Sequence, residues 1–307
     1  MEASISLKRV GKVIDGRSVL VGLSFGVERG SLVALVGPND AGKSTLLKVL
    51  AGIARPEFGN VFINGLDTQL RRDETKRMIG YMPQASNLDN QLTLRENFQF
   101  HAALYGLTGN ALTNRIGKLA HAFSIQDYLD DFPRSLSHGF LKRAMVVRTL
   151  LHDPEILLLD EPGTSLDIRS RYLVWEYLQS TRHKKTVVYT TQSLEEAERM
   201  HDRIAIIDKG KIVLDGTLDR LLHDSGELYH FQLHFDHLPD ELYAQLVKVS
   251  TVVNPSRIGE IFDFHGRDRK VLLQVIKQSI ESAFLDYRSD RVGLETLLLT
   301  STEGSVV

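Results

Sequence analysis

No cysteine occurs among the 307 residues, so neither a disulfide framework nor a thiolate metal site is available to this chain. Nor is either charge in excess: 37 Lys and Arg stand against 39 Asp and Glu, for a formal net charge of -2. Nucleic-acid binding draws on a basic surplus, so no nucleic-acid partner is expected. Long apolar runs are missing as well. Stretches such as "ILLL" fall far short of the ~20 residues that a membrane-spanning helix needs. The opening "MEASISLKRV" lacks the charged-then-apolar pattern of a secretory leader. If the chain works at a membrane, it does so from the water side. What is left is an ordinary globular composition, 42% hydrophobic and 25% charged, long enough for one large domain plus a small one, or for two medium ones.

The first 220 or so residues alternate short apolar runs with amphipathic stretches. "SLVALVG" (31–37), "EILLLDE" (155–161), "KTVVYTT" (185–191) and "RIAIID" (203–208) read as buried strands, rich in Val, Ile and Leu and followed by turn or helix signals. Near-continuous apolar strands separated by helices imply an α/β fold with a mostly parallel sheet covered on both faces. No strand pattern appears over 93–150, which predicts a helical insert at about 90–150. Composition shifts near residue 223. There Tyr229, Phe231, Leu233 and Phe235 alternate with polar residues, as on a strand with one wet face. Helix (239–248), strands (250–253 and 258–264), helix (268–281), strand (283–288) and a short helix follow, an order that suggests a small ferredoxin-like module. The expected domains are therefore 1–222 and 223–307.

"GPNDAGKST", Gly37 to Thr45, fits the pattern G-x-x-x-x-G-K-[ST]. It directly follows the apolar run "SLVALV" and opens the helical run "STLLKVLAGI". Triphosphate binding needs a loop whose backbone N–H groups close around phosphate oxygens at a helix N-terminus. Gly37, Pro38, Asn39, Asp40, Ala41, Gly42, Lys43, Ser44 and Thr45 would form that loop, with Lys43 reaching the β- and γ-phosphates and Ser44 ligating Mg²⁺. Asp40 is out of character, since an acid inside a phosphate cradle repels its ligand. At ~8 Å along a wet path the cost is about 0.5–1 kcal/mol per phosphate charge, which weakens binding several-fold without abolishing it. "ILLLDE" places Asp160 and Glu161 at the carboxyl end of a buried strand, where ligands gather in open α/β sheets. Asp160 would hold Mg²⁺, and Glu161 would accept the proton of the attacking water, a role worth about 10²–10⁴-fold.

In their order, "GPNDAGKST", "YMPQ", "LSHGF", "LLLDEP", "SLD" and "TTQSLEEAE" resemble the nucleotide-binding subunit of an ABC transporter over about residues 5–220. "TTQ" in place of Thr-His, the bulky residue ending "LSHGF" and the C-terminal extension resemble the daunorubicin-resistance type of exporter ATPase, which serves drug, lipid or polysaccharide efflux. The resemblance implies an ATPase with ATP and Mg²⁺, sited peripherally at the cytoplasmic face of the cell membrane beneath separate membrane-spanning permease subunits. It also implies a second nucleotide-binding domain, paired head to tail as a homo- or heterodimer. Gln84 would sense Mg²⁺ and the attacking water and link the site to the membrane partner. Ser137 and Gly139 would meet the γ-phosphate bound on the other subunit. Asp167 would be a dimer-contact acid, and Gln192 would stand at the γ-phosphate sensor position usually held by histidine.

Three departures bear on activity. Gln192 can donate a hydrogen bond but cannot carry a proton or a positive charge. Residues 10–17, "VGKVIDGR", offer no aromatic to stack on adenine, and Ile14 is nearest the expected place. That loss costs about 1–3 kcal/mol by analogy with base stacking elsewhere. Finally, His138 stands where such proteins have a glycine: either the backbone there needs no positive φ, or it is strained, and the imidazole could add a donor toward the second ATP. "LSHGF" is thus a working phosphate-binding signature, a weakened one, or a plain helix cap on Ser137.

Other features have plainer readings. His230 and His234 share one strand face beside His223 and His237, which suits a metal or simply a wet surface. Phe98, Phe100, Leu104 and Tyr105 in helical spacing form either a core face or a groove for a cytoplasmic helix of the membrane partner. Thr164 reads as a polar loop residue. The expected function is an ATP-hydrolysing exporter subunit with a regulatory or dimer-stabilising C-terminal module. The rival is a nucleotide-binding switch with little turnover, working in a heterodimer.

Overall fold

The computed structural model describes residues 3–224, 229–249, 252–266, 272–273, 275–277 and 284–291. The chain divides into two compact units at Gly216/Thr217. In the first unit the strands are Ala3–Ile14 (β1), Arg17–Glu28 (β2), Leu32–Val36 (β3), Phe58–Ile63 (β4), Leu66–Asp67 (β5), Ile79–Met82 (β6), Ile156–Leu159 (β7), Thr186–Thr191 (β8), Arg203–Asp208 (β9) and Lys211–Gly216 (β10). Its helices are Lys43–Leu50 (α1), Arg72–Met78 (α2), Leu94–Ala103 (α3), Gly109–Ala122 (α4), His138–Leu150 (α5), Ile168–Ser180 (α6) and Leu194–Arg199 (α7).

The central sheet runs β10-β9-β3-β8-β7-β6, parallel except for β10 at its edge. Every residue of β3, β7 and β8 is buried. That is why these strands read as continuous apolar runs rather than as alternation. Their register has a functional consequence: Val36 pairs with Thr191, Leu159 with Tyr189, and Met82 with Leu159. The loops leaving β3, β6, β7 and β8 therefore emerge side by side, carrying Lys43, Gln84, Glu161 and Gln192 to one edge of the sheet.

A second, antiparallel sheet, β2-β1-β4-β5, was not foreseen. Its strands are wet on one face, and the β1–β2 and β1–β4 ladders are broken by bulges that interrupt the two-residue alternation. Both sheets contribute to one core that includes Ile5, Val10, Leu20, Val33, Leu35, Leu47, Val61 and Leu158. Between β6 and β7 the chain is helical, with α3, α4, α5 and two 3-10 turns at Gln126–Tyr128 and Pro133–Ser135. Thr93 and Glu96 close a reciprocal capping box at the start of α3.

In the second unit, Leu218–Asp224 (α8) is followed by Tyr229–Phe235 (β11), Asp240–Val247 (α9), Val252–Ile258 (β12), Ile261–Gly266 (β13) and Phe284–Arg291 (β14). Residues 272–273 and 275–277 are helical; the rest of the expected 268–281 helix, and the short helix after 288 beyond β14, lie outside the described residues. The sheet order β12-β13-β11-β14, antiparallel throughout, is the ferredoxin-like arrangement. Phe231, Leu233, Phe262, Phe264, Leu242 and Leu246 form its core. The strand bounds differ from expectation because "NPSR" belongs to β12, an edge strand where a proline costs no ladder hydrogen bond, and the hairpin turns later, at Gly259 with φ 62°. His230 turns to Asp263 Oδ2 at 2.8 Å and stacks on His265. Among the described residues no group of three or more His, Cys, Asp or Glu is placed to hold a metal ion.

Candidate nucleotide-binding and hydrolysis site

The loop after β3 is shaped by close backbone approach. A Cβ on Gly37 would lie 2.2 Å from the Ile207 carbonyl oxygen, and one on Gly42, with φ 103°, 2.9 Å from that of Val19. The turn between β9 and β10 braces the loop from outside: Gly210 N–H donates to Ala41 O at 3.0 Å, and Val21 N–H to Gly210 O at 3.0 Å. Asp40 has φ 62°, the left-handed region that aspartate tolerates better than most side chains. Lys43 is buried and its Nζ donates to Gly37 O and Pro38 O, each at 2.7 Å. Burial holds its pKa below the usual lysine value, opposed by the charges of Glu161, Asp160 and Asp40.

Asp160 follows β7 and is almost fully buried. Its Oδ1 accepts from Ser44 Oγ at 3.1 Å and from Thr190 Oγ1 at 2.7 Å. This hydroxyl–carboxylate pair is an all-oxygen donor set suited to a hard divalent cation. Beside it, Glu161 has φ 49°, unusual for a non-glycine residue. Its surroundings fix it on every side. The N–H donates to Thr190 Oγ1 at 2.8 Å, and the carbonyl accepts from Lys142 Nζ at 3.2 Å. Its carboxylate accepts from Gln192 Nε2 at 2.7 Å, Gln84 Nε2 at 3.0 Å and Thr164 Oγ1 at 3.1 Å. Thr164 and Thr190 were missed by sequence reading, the first passed over as a loop residue and the second hidden inside an apolar strand. In this geometry Gln84 faces Glu161 rather than the Ser44–Asp160 pair.

An open cavity of about 850 Å³ lies over these groups, lined by Ile14, Asn39, Asp40, Gly42 to Thr45, Gln84 and Glu161. Ile14 stands on the cavity wall. Arg17 and Lys209 also line the cavity. Sequence offered only a cation in each of two turn-like stretches, "DGR" (15–17) and the distant "DKG" (208–210).

Ser137, His138 and Gly139 do not line that cavity. They sit at the start of α5, where Ser137 caps the helix by accepting Phe140 N–H at a long 3.5 Å. His138 is exposed and its φ is not positive, so the imidazole stands there without backbone strain. A Cβ on Gly139 would meet Asp167 Oδ2 only at 3.7 Å, an ordinary contact, so nothing within the chain demands glycine at that place. Phe140 packs on Tyr128 and under the Arg143 guanidinium. The groove expected near α3 divides: Phe98 is core, whereas exposed Phe100 and Leu104 join Tyr105, His101, Arg148 and His152 around a separate cavity of about 480 Å³.

A parallel sheet carrying a lysine-bearing phosphate loop after β3, with a buried Asp-Glu pair after β7, the next strand but one, defines a P-loop NTPase. The ABC transporter family profile matches residues 20–164. The Nod factor export ATP-binding protein I of Burkholderia pseudomallei (strain K96243) is 38% identical over 70% of this chain and 71% of its own length. That of Ralstonia nicotianae (strain ATCC BAA-1114 / GMI1000) is 32% identical over 91% and 86%. A solved ATP-binding subunit of an ABC transporter superposes with TM-score 0.68 at 30% identity, covering 72% of this chain and 93% of that one. A dimeric ATP-binding cassette in a post-hydrolysis state with ADP and Pi gives 0.65 at 26%, covering 70% and 98%. This chain belongs to the ABC transporter family, as an ATP-binding subunit.

Proposed function

We propose that the chain hydrolyses ATP to drive an exporter whose membrane-spanning part lies in separate chains, at the cytoplasmic face of the cell membrane. The observation that carries this reading is the setting of Glu161. Its main chain is pinned by Thr190 and Lys142, and its carboxylate is aimed by Gln84, Gln192 and Thr164 beside the phosphate loop.

When ATP fills the cavity, Lys43 exchanges the Gly37 and Pro38 carbonyls for phosphate oxygens, and the loop N–H groups close on them. Ser44 and Asp160 would hold Mg²⁺, which neutralises charge on the phosphates. Glu161 takes the proton of the attacking water, while Gln84 and Gln192 move from the carboxylate to that water and the γ-phosphate. Gln192 acts as a neutral donor, which suffices for orientation.

A second copy or a related domain supplies Ser137 and Gly139 in trans. Two observations support this: the pair stands apart from the chain's own cavity, and Gly139 leaves room that no internal contact uses. The cavity around Phe100 and Leu104 receives the membrane partner. Among the described residues no helix is long and apolar enough to cross a membrane.

The test is steady-state ATP hydrolysis by the chain and its Glu161→Gln variant, with and without the membrane partner. The reading expects turnover that drops about 10²–10⁴-fold in the variant while ATP binding persists. Equal silence of both proteins, even with the partner, would replace it with the switch reading and direct attention to a second, competent ATPase chain.

A further inference from the structure

Helix α5 carries three buried cations, Lys142, Arg143 and Arg148, all directed at main-chain oxygens. Arg143 donates to Phe123 O and Ser124 O, and Arg148 to Asn87 O. These tie the helical segment together and to the loop that follows β6. Lys142 differs in what it reaches. Its Nζ lies 2.7 Å from Gln84 O and 3.2 Å from Glu161 O, the carbonyls of the two residues that flank the attacking water in the proposed reaction.

A lysine only 9% exposed is a costly choice for a packing role, because its charge must leave water. Burial lowers its pKa, opposed by the charges of Glu161 and Asp160. What it gains is a grip on a strained peptide. Glu161 sits at φ 49°, and such a conformation persists only where the surroundings over-determine it. Thr190 fixes the N–H side of that residue and Lys142 the carbonyl side. Lys142 also lies five residues after Ser137, which caps the same helix, so it is about 7.5 Å along the axis from the signature end.

We infer that Lys142 is a positioning residue that ties Glu161 and Gln84 to the signature-bearing helix. Engagement of Ser137 and Gly139 with nucleotide on a second subunit thereby sets the geometry of the base in the first. This rests on the ATPase reading above for its consequence, while the tie itself lies wholly within the chain. In a dimer each α5 touches one ATP with its end and steers hydrolysis of the other through Lys142, so the two sites fire in a coupled way.

The experiment compares wild type, Lys142→Met, which keeps the length without the charge, and Lys142→Arg, which keeps donors. Three readouts are taken: ATPase kinetics over a full ATP range, hydrogen exchange of the segments 82–88 and 160–166 without nucleotide, and the melting temperature. Lys142→Met is expected to lower kcat about 10- to 100-fold with KM changed less than about 2-fold, because the loss falls on the chemical step. The Hill coefficient for ATP is expected to fall from near 2 toward about 1, since the coupling is removed. Both segments should exchange about 10-fold faster in Lys142→Met, and Lys142→Arg should restore exchange and most of the turnover. A merely structural lysine would lower the melting temperature and kcat together and leave the Hill coefficient alone, which overturns the proposal. Unchanged exchange in both segments overturns it too. If wild type shows no hydrolysis sensitive to Glu161→Gln, the ATPase reading fails, and the exchange comparison still decides whether Lys142 holds the two loops.

Discussion

The Thr190 hydroxyl donates to Asp160 Oδ1 across 2.7 Å and accepts the Glu161 N–H at 2.8 Å. One fully buried threonine on β8 thus fixes the candidate metal ligand and the candidate base, which follow β7, together. Thr190→Val keeps the shape and removes both bonds. It leaves a buried N–H without a partner, for which the expected loss is about 1–3 kcal/mol of unfolding free energy. Displacement of Glu161 should also cut kcat about 10- to 100-fold. Urea denaturation and ATPase assays on the same preparation check both. Full activity in a folded Thr190→Val protein would remove Thr190 from the site.

Lys43, Ser44, Asp160 and Glu161 were legible in the sequence because each belongs to a fixed spacing next to a strand whose apolar run is unbroken. Thr190 was not, because in "KTVVYTT" a threonine is an ordinary β-branched filler, and only the register of β8 against β7 gives it a partner. Thr164 and Lys142 were hidden in the same way: their partners are 3 and 19 positions away, one across a turn and one across a helix–strand contact. The antiparallel sheet escaped because bulges in β1 interrupt its alternation. Ferredoxin-like order was readable since Phe231, Leu233, Phe262 and Phe264 alternate cleanly, as their 0% exposure reflects.

Ile14 is 43% exposed on the wall of the nucleotide cavity, where an aromatic ring would face the base. Ile14→Tyr should tighten ATP binding by about 1–3 kcal/mol, roughly 5- to 150-fold in dissociation constant. The gain should be much smaller for inorganic triphosphate, which has no base to stack. Titration calorimetry with both ligands in the Glu161→Gln background, where nucleotide is not consumed, measures the difference. Equal gains for the two ligands would mean that the new side chain acts on the phosphate loop.

His138 is exposed in the first turn of α5 without a positive φ, so glycine is not needed there for the chain to fold. His138→Gly should leave hydrolysis intact or raise it, at a stability cost of about 0.5–1 kcal/mol for the added backbone freedom. Turnover against ATP concentration, set beside the melting temperature, is the measurement. A collapse of kcat with the fold intact would mean that His138 itself contacts the nucleotide of the second subunit.

His101, Tyr105 and His152 form an aromatic cluster at the second cavity, with Tyr105 and His152 stacked at 3.8 Å. Burial pushes both imidazoles down from 6.5 to about 4, reinforced for His101 by the nearby Arg148 guanidinium. The folded chain therefore holds them neutral where the unfolded chain binds protons. Their contribution to stability is complete above 6.5 and is lost as pH falls toward about 4. The melting temperature should fall across that window, on top of whatever the carboxylates contribute. His101→Phe removes one of the two titrations, so its slope of melting temperature against pH between 6.5 and 4 should be shallower than that of wild type. The slope, rather than the absolute stability, is the observable, because a bulkier ring also alters packing. Parallel slopes would place the proton uptake elsewhere.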